Sequence, residues 1–168
     1  MEFAVTVIGR DRVGIVADVA GRLAALGANL TDSTMTLLRG HFAMTLICTA
    51  QASADSLREA LGDLTGELLV SVGEVGGDGP ATIGGSSYVV SVYGADRLGI
   101  VAAVARAIAG AGGNITDLST RLTGTLYVLI AEVDLPPVVA DDLTKRLDEL
   151  GASLEVEVSL RATEADLL

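Results

Sequence analysis

The sequence predicts an α+β chain made of two copies of one βαββαβ unit, each a four-stranded antiparallel sheet with two helices on one face. Three observations carry this. The segment Gly9 to Asp32 aligns without gaps on Gly94 to Asp117 at an offset of 85 residues, with 14 of 24 positions identical. Each copy alternates stretches of strand period with stretches of helical period in the same order. With 168 residues, two units of about 75 residues have room to build a core each, so the repeat marks duplicated domains and not a solenoid.

In the first copy, Phe3, Val5 and Val7 alternate with Ala4 and Thr6 as a strand does, and Val16, Val19, Ala20, Leu23 and Leu26 then recur at helical spacing. Gly27 ends that helix as a left-handed cap. Asn29 to Leu38 reads as a second strand, Arg39, Gly40 and His41 as a turn, and Phe42, Met44 and Leu46 as the inward face of a third. Leu57, Ala60, Leu61 and Leu64 make a second helix stopped by Thr65 and Gly66, and Leu68, Val70 and Val72 supply a fourth strand.

The second copy repeats the order. Its strands are Ser87 to Tyr93, Asn114 to Leu122, Thr125 to Asp134 and Ser153 to Leu160; its helices are Gly99 to Ala111 and Val138 to Leu150. Pro136 and Pro137 suit a helix entry, and Asp141 to Lys145 and Asp142 to Arg146 have supportive i,i+4 spacing. On the third strand, Tyr127, Leu129, Ala131 and Val133 read as an outward face unusually apolar for solvent, which suggests a homodimer contact. The expected boundaries are 1–75 for the first unit, 76–86 for a Gly-rich linker, 87–161 for the second unit and 162–168 for a tail.

Composition narrows the function. Half of the residues are hydrophobic, which excludes global disorder. Against 22 Asp and Glu stand 11 Lys and Arg, a net charge of -11. The split is even: 9 acids and 5 bases in 1–75, 12 and 6 in 87–168. Neither half offers the basic footprint that nucleic acid needs, and five Phe plus Tyr with no Trp supply few stacking platforms. No apolar run approaches the roughly 18 residues of a membrane helix. The lone Cys48 cannot form an intramolecular disulfide and the start lacks a basic leader, so a cytoplasmic, reducing setting is expected.

Catalysis and metal binding find no repeated residues. The only histidine, His41, has no histidine as its counterpart in the second copy and reads as a solvated turn residue, so no Ser, His, Asp set recurs. Neither first loop carries the paired cysteines of a soft-metal site. No cofactor is implied and the chain is not expected to be an enzyme.

What the copies share is Gly-x-Asp-Arg-x-Gly-Ile-Val where the first strand meets the first helix, followed by Asn-(Leu/Ile)-Thr-Asp. A glycine there lets backbone approach a ligand, and amides at a helix N-terminus suit a carboxylate. Asp11 or Asp96 offers an anion to an ammonium group, and Asn29 or Asn114 offers a donor and an acceptor. Those groups complement a free α-amino acid. They also have structural readings: the aspartates as N-caps, Gly14 and Gly99 as tight-packing glycines, and the asparagines as left-handed residues after a helix stop. Arg10 or Ala95 and Val13 or Leu98 differ between copies and are expected at the side-chain end of a site.

This loop with its following Asn, on a βαββαβ unit, resembles the ACT domain, a ferredoxin-like regulatory module that binds amino acids. The resemblance covers nearly the whole chain outside the linker and the tail. Two such units without a catalytic domain resemble tandem-ACT proteins of the glycine cleavage system transcriptional repressor type. The same loop occurs in ACT units of uridylyltransferases and formyltetrahydrofolate deformylases, so it points to the module more than to a pathway. The resemblance places ligand contacts at Asp11, Arg12, Gly14, Ile15, Val16, Asn29 and Leu30. In the second copy it places them at Asp96, Arg97, Gly99, Ile100, Val101, Asn114 and Ile115. It further implies units paired side by side into an eight-stranded sheet with ligands at the interface, a homodimer, and control of a protein partner such as a transcription regulator or an enzyme.

Overall fold

The computed structural model describes residues 1–62, 64, 68–76 and 85–163. The expected linker and tail, like the Thr65 and Gly66 stop, lie largely outside them. The chain divides into two compact units. In the first, β1 (Glu2–Arg10), α1 (Ile15–Ala25), β2 (Asn29–Leu38), β3 (His41–Thr49), α2 (Ala54–Gly62) and β4 (Leu68–Glu74) follow in that order. The second contains β5 (Ser86–Ala95), α3 (Ile100–Gly110), β6 (Asn114–Thr123), β7 (Leu126–Leu135), α4 (Ala140–Leu154) and β8 (Val156–Ala162). Each sheet is antiparallel, ordered β2-β3-β1-β4 and β6-β7-β5-β8, so β2 and β6 are edges.

Alternation along the strands decides which face is dry. In the first unit Phe3, Val5 and Val7 of β1 and Phe42, Met44, Leu46 and Cys48 of β3 point to one side, where Val19 and Leu23 of α1 and Leu57 and Leu61 of α2 cover them. These helix positions are four residues apart, the spacing that stacks side chains on one stripe. The second unit repeats the plan with Val90, Val92, Leu129, Ala131 and Val133 under Val104, Ile108, Leu143 and Leu147. Each unit has its own core.

Five expectations are corrected. Leu129, Ala131 and Val133 lie on the covered face of β7, not the outer one, and are fully buried; Tyr127 packs partly against the same core. The proline pair does not open α4: its N-cap is Val139, and Val138 has φ 72. Pro137 bars Pro136 from helical φ/ψ and the left-handed Val138 interrupts again, so the helix starts only at Ala140. At its other end α4 runs through Ser153 and Leu154, which the sequence placed in the last strand. Leu154 lies seven residues after Leu147 and packs on the core from the helix, and Glu155, at φ 55, makes the break before β8. The ion pair found on α4 joins Lys145 to Asp142, three residues apart at 3.9 Å. His41 is exposed as expected, but as the first residue of β3 paired with Arg10, leaving Arg39 and Gly40, both at positive φ, as the two-residue turn.

Candidate functional site

The two first loops adopt one backbone conformation. Gly14 is the N-cap of α1 at φ 86 and ψ 0, and Gly99 is the N-cap of α3 at φ 92 and ψ 3. No side chain caps either helix. The first helical hydrogen bonds run from Asp18 N to Gly14 O and from Ala103 N to Gly99 O, each 2.9 Å. The amides of Ile15, Val16 and Ala17, and of Ile100, Val101 and Ala102, precede them and gather partial positive charge at the helix start.

The structure removes all three structural readings of the shared residues. Asp11 and Asp96 are not N-caps. A Cβ built on Gly14 or Gly99 meets nothing within 4 Å, so these glycines serve a left-handed backbone and not tight packing. Asn29 and Asn114 begin strands; the left-handed residues after α1 and α3 are Gly27 at φ 71 and Gly112 at φ 73.

Each loop is tethered differently. Asp11 N donates to Gly40 O at 3.1 Å, tying the first loop to the β2–β3 hairpin. Arg12 pairs with Asp18 of its own helix at 2.7 Å, whereas Arg97 reaches Glu155 between α4 and β8, also at 2.7 Å. The carboxylates of Asp11 and Asp96 have no hydrogen-bond or ion-pair partner among the described residues.

In the first unit a hollow of about 510 Å³ opens beside the loop, within the range of small-molecule sites. Asp11, Arg12 and Gly14 form its loop side and Ile15, Val16, Ala17 and Ala20 its helix side; Met35 of β2 and Phe42 of β3 complete it. Five expected contacts thus meet at one place. The side chain of Ile15, like that of Ile100, is buried in the core, so only its backbone is available there. Arg10 and Val13 are not in the lining, and Val13 and Leu98 are fully exposed.

Asn29 and Leu30 stand apart from that hollow. Asn29 pairs across the sheet with Thr49 and Leu30 with Cys48, at the end of β3 away from the loop, while Arg10, next to Asp11, pairs with His41. Eight residues of strand separate the two rows, about 26 Å at the usual rise per residue. In the second unit Asn114 and Ile115 sit opposite Asp134 and Val133, at the far end of β7 from Leu126, which pairs with Ala95 beside Asp96. Within either unit, the asparagine and the loop do not meet.

Ala17, Ala20, Met35 and Phe42 were not foreseen as lining. Ala17 and Ala20 are among the 14 repeated positions, and Met35 shares the inner-face register of the edge strand, being opposite Met44. Among the described residues, no cluster of three or more His, Cys, Asp or Glu could hold a metal, and no helix is long and apolar enough to cross a membrane. Cys48 is buried, and burial pushes its thiol above its ordinary pKa.

Comparison with known proteins agrees with this geometry. The family model described as ACT domain matches residues 2–72 and again 86–161. The chain belongs to the ACT domain family. Its two ACT units are ferredoxin-like βαββαβ folds in tandem. A UPF0237 protein of Listeria innocua is 39% identical over 67 residues, covering 40% of this chain and 75% of that protein. A UPF0237 protein of Methanocaldococcus jannaschii is 39% identical over 75 residues, covering 44% and 83%. Among solved structures, an unknown protein from Galdieria sulphuraria matches with a TM-score of 0.80 at 30% identity, over 96% of this chain and 98% of that one. A structure carrying the provisional name glycine cleavage system transcriptional repressor matches with a TM-score of 0.68 at 20% identity, over 96% of both chains. That last likeness is one of fold.

Proposed function

We propose that this tandem ACT protein is a non-catalytic sensor that binds a free α-amino acid at its β1–α1 and β5–α3 loops and thereby controls a partner protein in amino-acid or one-carbon metabolism. One observation carries the reading: an uncapped helix start behind a left-handed glycine, next to an unpartnered aspartate, built twice. The first-turn amides suit an α-carboxylate and Asp11 or Asp96 suits an α-ammonium group. The described lining of the first hollow includes no histidine, cysteine, serine or lysine, which supports binding over reaction.

A homodimer is part of the proposal. Each unit holds its asparagine far from its own loop. We therefore assign Asn29 and Asn114 to loops of a second copy, with the edges of β2 and β6 as the surfaces that pair. The face of Leu129 does not contribute to it, since that face is core. Calorimetric titration of the full chain with the twenty amino acids tests the site. Wild type is expected to bind at least one of them, and Asp11→Ala with Asp96→Ala to weaken that binding at least tenfold. A wild type that binds none, or binding indifferent to both substitutions, rejects the proposed site. Light scattering at micromolar concentration checks the dimer; a monomer in the presence of saturating ligand rejects that part.

A further inference from the structure

The two units differ at the positions that a bound molecule's side chain would meet. In the first, the hollow beyond the loop is walled by Val16, Ala17 and Ala20 of α1 and by Met35 of the edge strand, with the wholly buried Phe42 beneath them. That end presents only hydrocarbon and a thioether. Eighty-five residues later, Val101, Ala102 and Ala105 repeat the helix side, but Thr120 stands in place of Met35 and Tyr127 in place of Phe42. Strand register makes the correspondence independently of the alignment. Met35 is opposite Met44 and Thr120 opposite Leu129; Phe42 is opposite Gly9 and Tyr127 opposite Gly94.

Met35 is 48% exposed although it sits on the inner-face register, because β2 is the sheet edge and α1 does not cover it there. Its unbranched, polarizable side chain is therefore free to close over a ligand. A hydroxyl or carboxylate placed against it would lose water and find no partner, whereas an aliphatic or aromatic group would exchange water for contact.

Resting on the amino-acid reading above, we propose that the first unit selects an amino acid with an apolar side chain, with Met35 as the specificity-determining residue. The second unit lacks this preference because Thr120 puts a hydroxyl group at the register position of Met35. The ammonium and carboxylate ends are held alike in both units by Asp11 or Asp96 and the first-turn amides, so discrimination resides at the side-chain end.

The test is calorimetric titration of the full-length protein carrying Asp96→Ala, which isolates the first site, with L-leucine, L-phenylalanine, glycine, L-serine and L-aspartate. Glycine, having no side chain, is the reference. L-leucine or L-phenylalanine should bind more tightly than glycine, L-serine or L-aspartate. Adding Met35→Thr should cost roughly tenfold of that affinity, the scale of a methylene-sized change in an apolar pocket, and leave glycine unchanged. Met35→Leu should keep the preference, which separates lost selectivity from lost folding. Tighter binding of glycine, L-serine or L-aspartate, or a preference untouched by Met35→Thr, overturns the proposal while the sensor reading stands. If none of the twenty amino acids binds wild type, both are overturned.

Discussion

A left-handed φ with open space around the α-carbon separates the two uses of glycine. Gly14 and Gly99 have both properties, so alanine at either site meets no clash yet must hold a conformation that costs about 1–2 kcal/mol for an L-residue. Urea denaturation of Gly14→Ala and of Gly99→Ala is expected to show losses of that size in the unit concerned. A loss below a few tenths would mean that the loop relaxes to another backbone. Cys48 shows a different residue-scale constraint. Its thiol is buried and its pKa raised, so little thiolate forms and none is accessible. Native protein should resist iodoacetamide at pH 8 and react after unfolding in urea; rapid labelling of the native state would contradict this burial. Asp11 and Asp96 were legible in the sequence as shared chemistry, but their freedom from capping was not. Spacing alone left a cap and a ligand contact equally open, and the placement of the N-cap at Gly14 and Gly99 removes the cap.

At the scale of elements, β2 has the bounds read from the sequence, Asn29–Leu38, whereas the face of β7 was read backwards. Alternation defines two faces of a strand without saying which is covered. Here both are apolar, with Leu126, Val128 and Ile130 outside and Leu129, Ala131 and Val133 inside. The repeat held the answer: Leu129 and Ala131 correspond to Met44 and Leu46, whose face the sequence placed inward. The α4–β8 boundary failed for a related reason. Leu154 satisfies a helical period from Leu147 and a strand period toward Val156, Val158 and Leu160 at once. Packing settles the two faces energetically. Leu129→Ala should destabilise the second unit by about 2–5 kcal/mol, the usual cost of emptying a buried leucine site. A residue on a solvent-facing contact surface would instead lose well under 1 kcal/mol in the same thermal or urea unfolding experiment.

For the whole molecule, the family, the duplication and the acidic balance of both halves were readable from one sequence, because a repeat constrains fold twice. The meeting of Met35 with the loop was not readable, since it joins residues more than twenty positions apart across an edge that no local period reports. Two separate cores have a further consequence. A buried substitution acts through the core it belongs to, and the described core clusters share no residue. The two units are therefore expected to unfold separately and not in a single two-state event. Hydrogen exchange on Leu129→Ala is expected to accelerate the amides of β5, β7, α3 and α4, while those of β1, β3, α1 and α2 keep their wild-type rates. Equal acceleration in both units would show one cooperative body. Independent cores matter for regulation as well as for stability. A ligand that tightens one site then affects the other only through an interface. A tenfold effect on partner affinity requires about 1.4 kcal/mol of coupling there, within the ordinary range for allosteric proteins. Repeating the exchange measurement with a saturating amino acid reads that coupling. Protection confined to the liganded unit would mean that no signal crosses, and protection of both units would locate the communicating surface by the amides it slows.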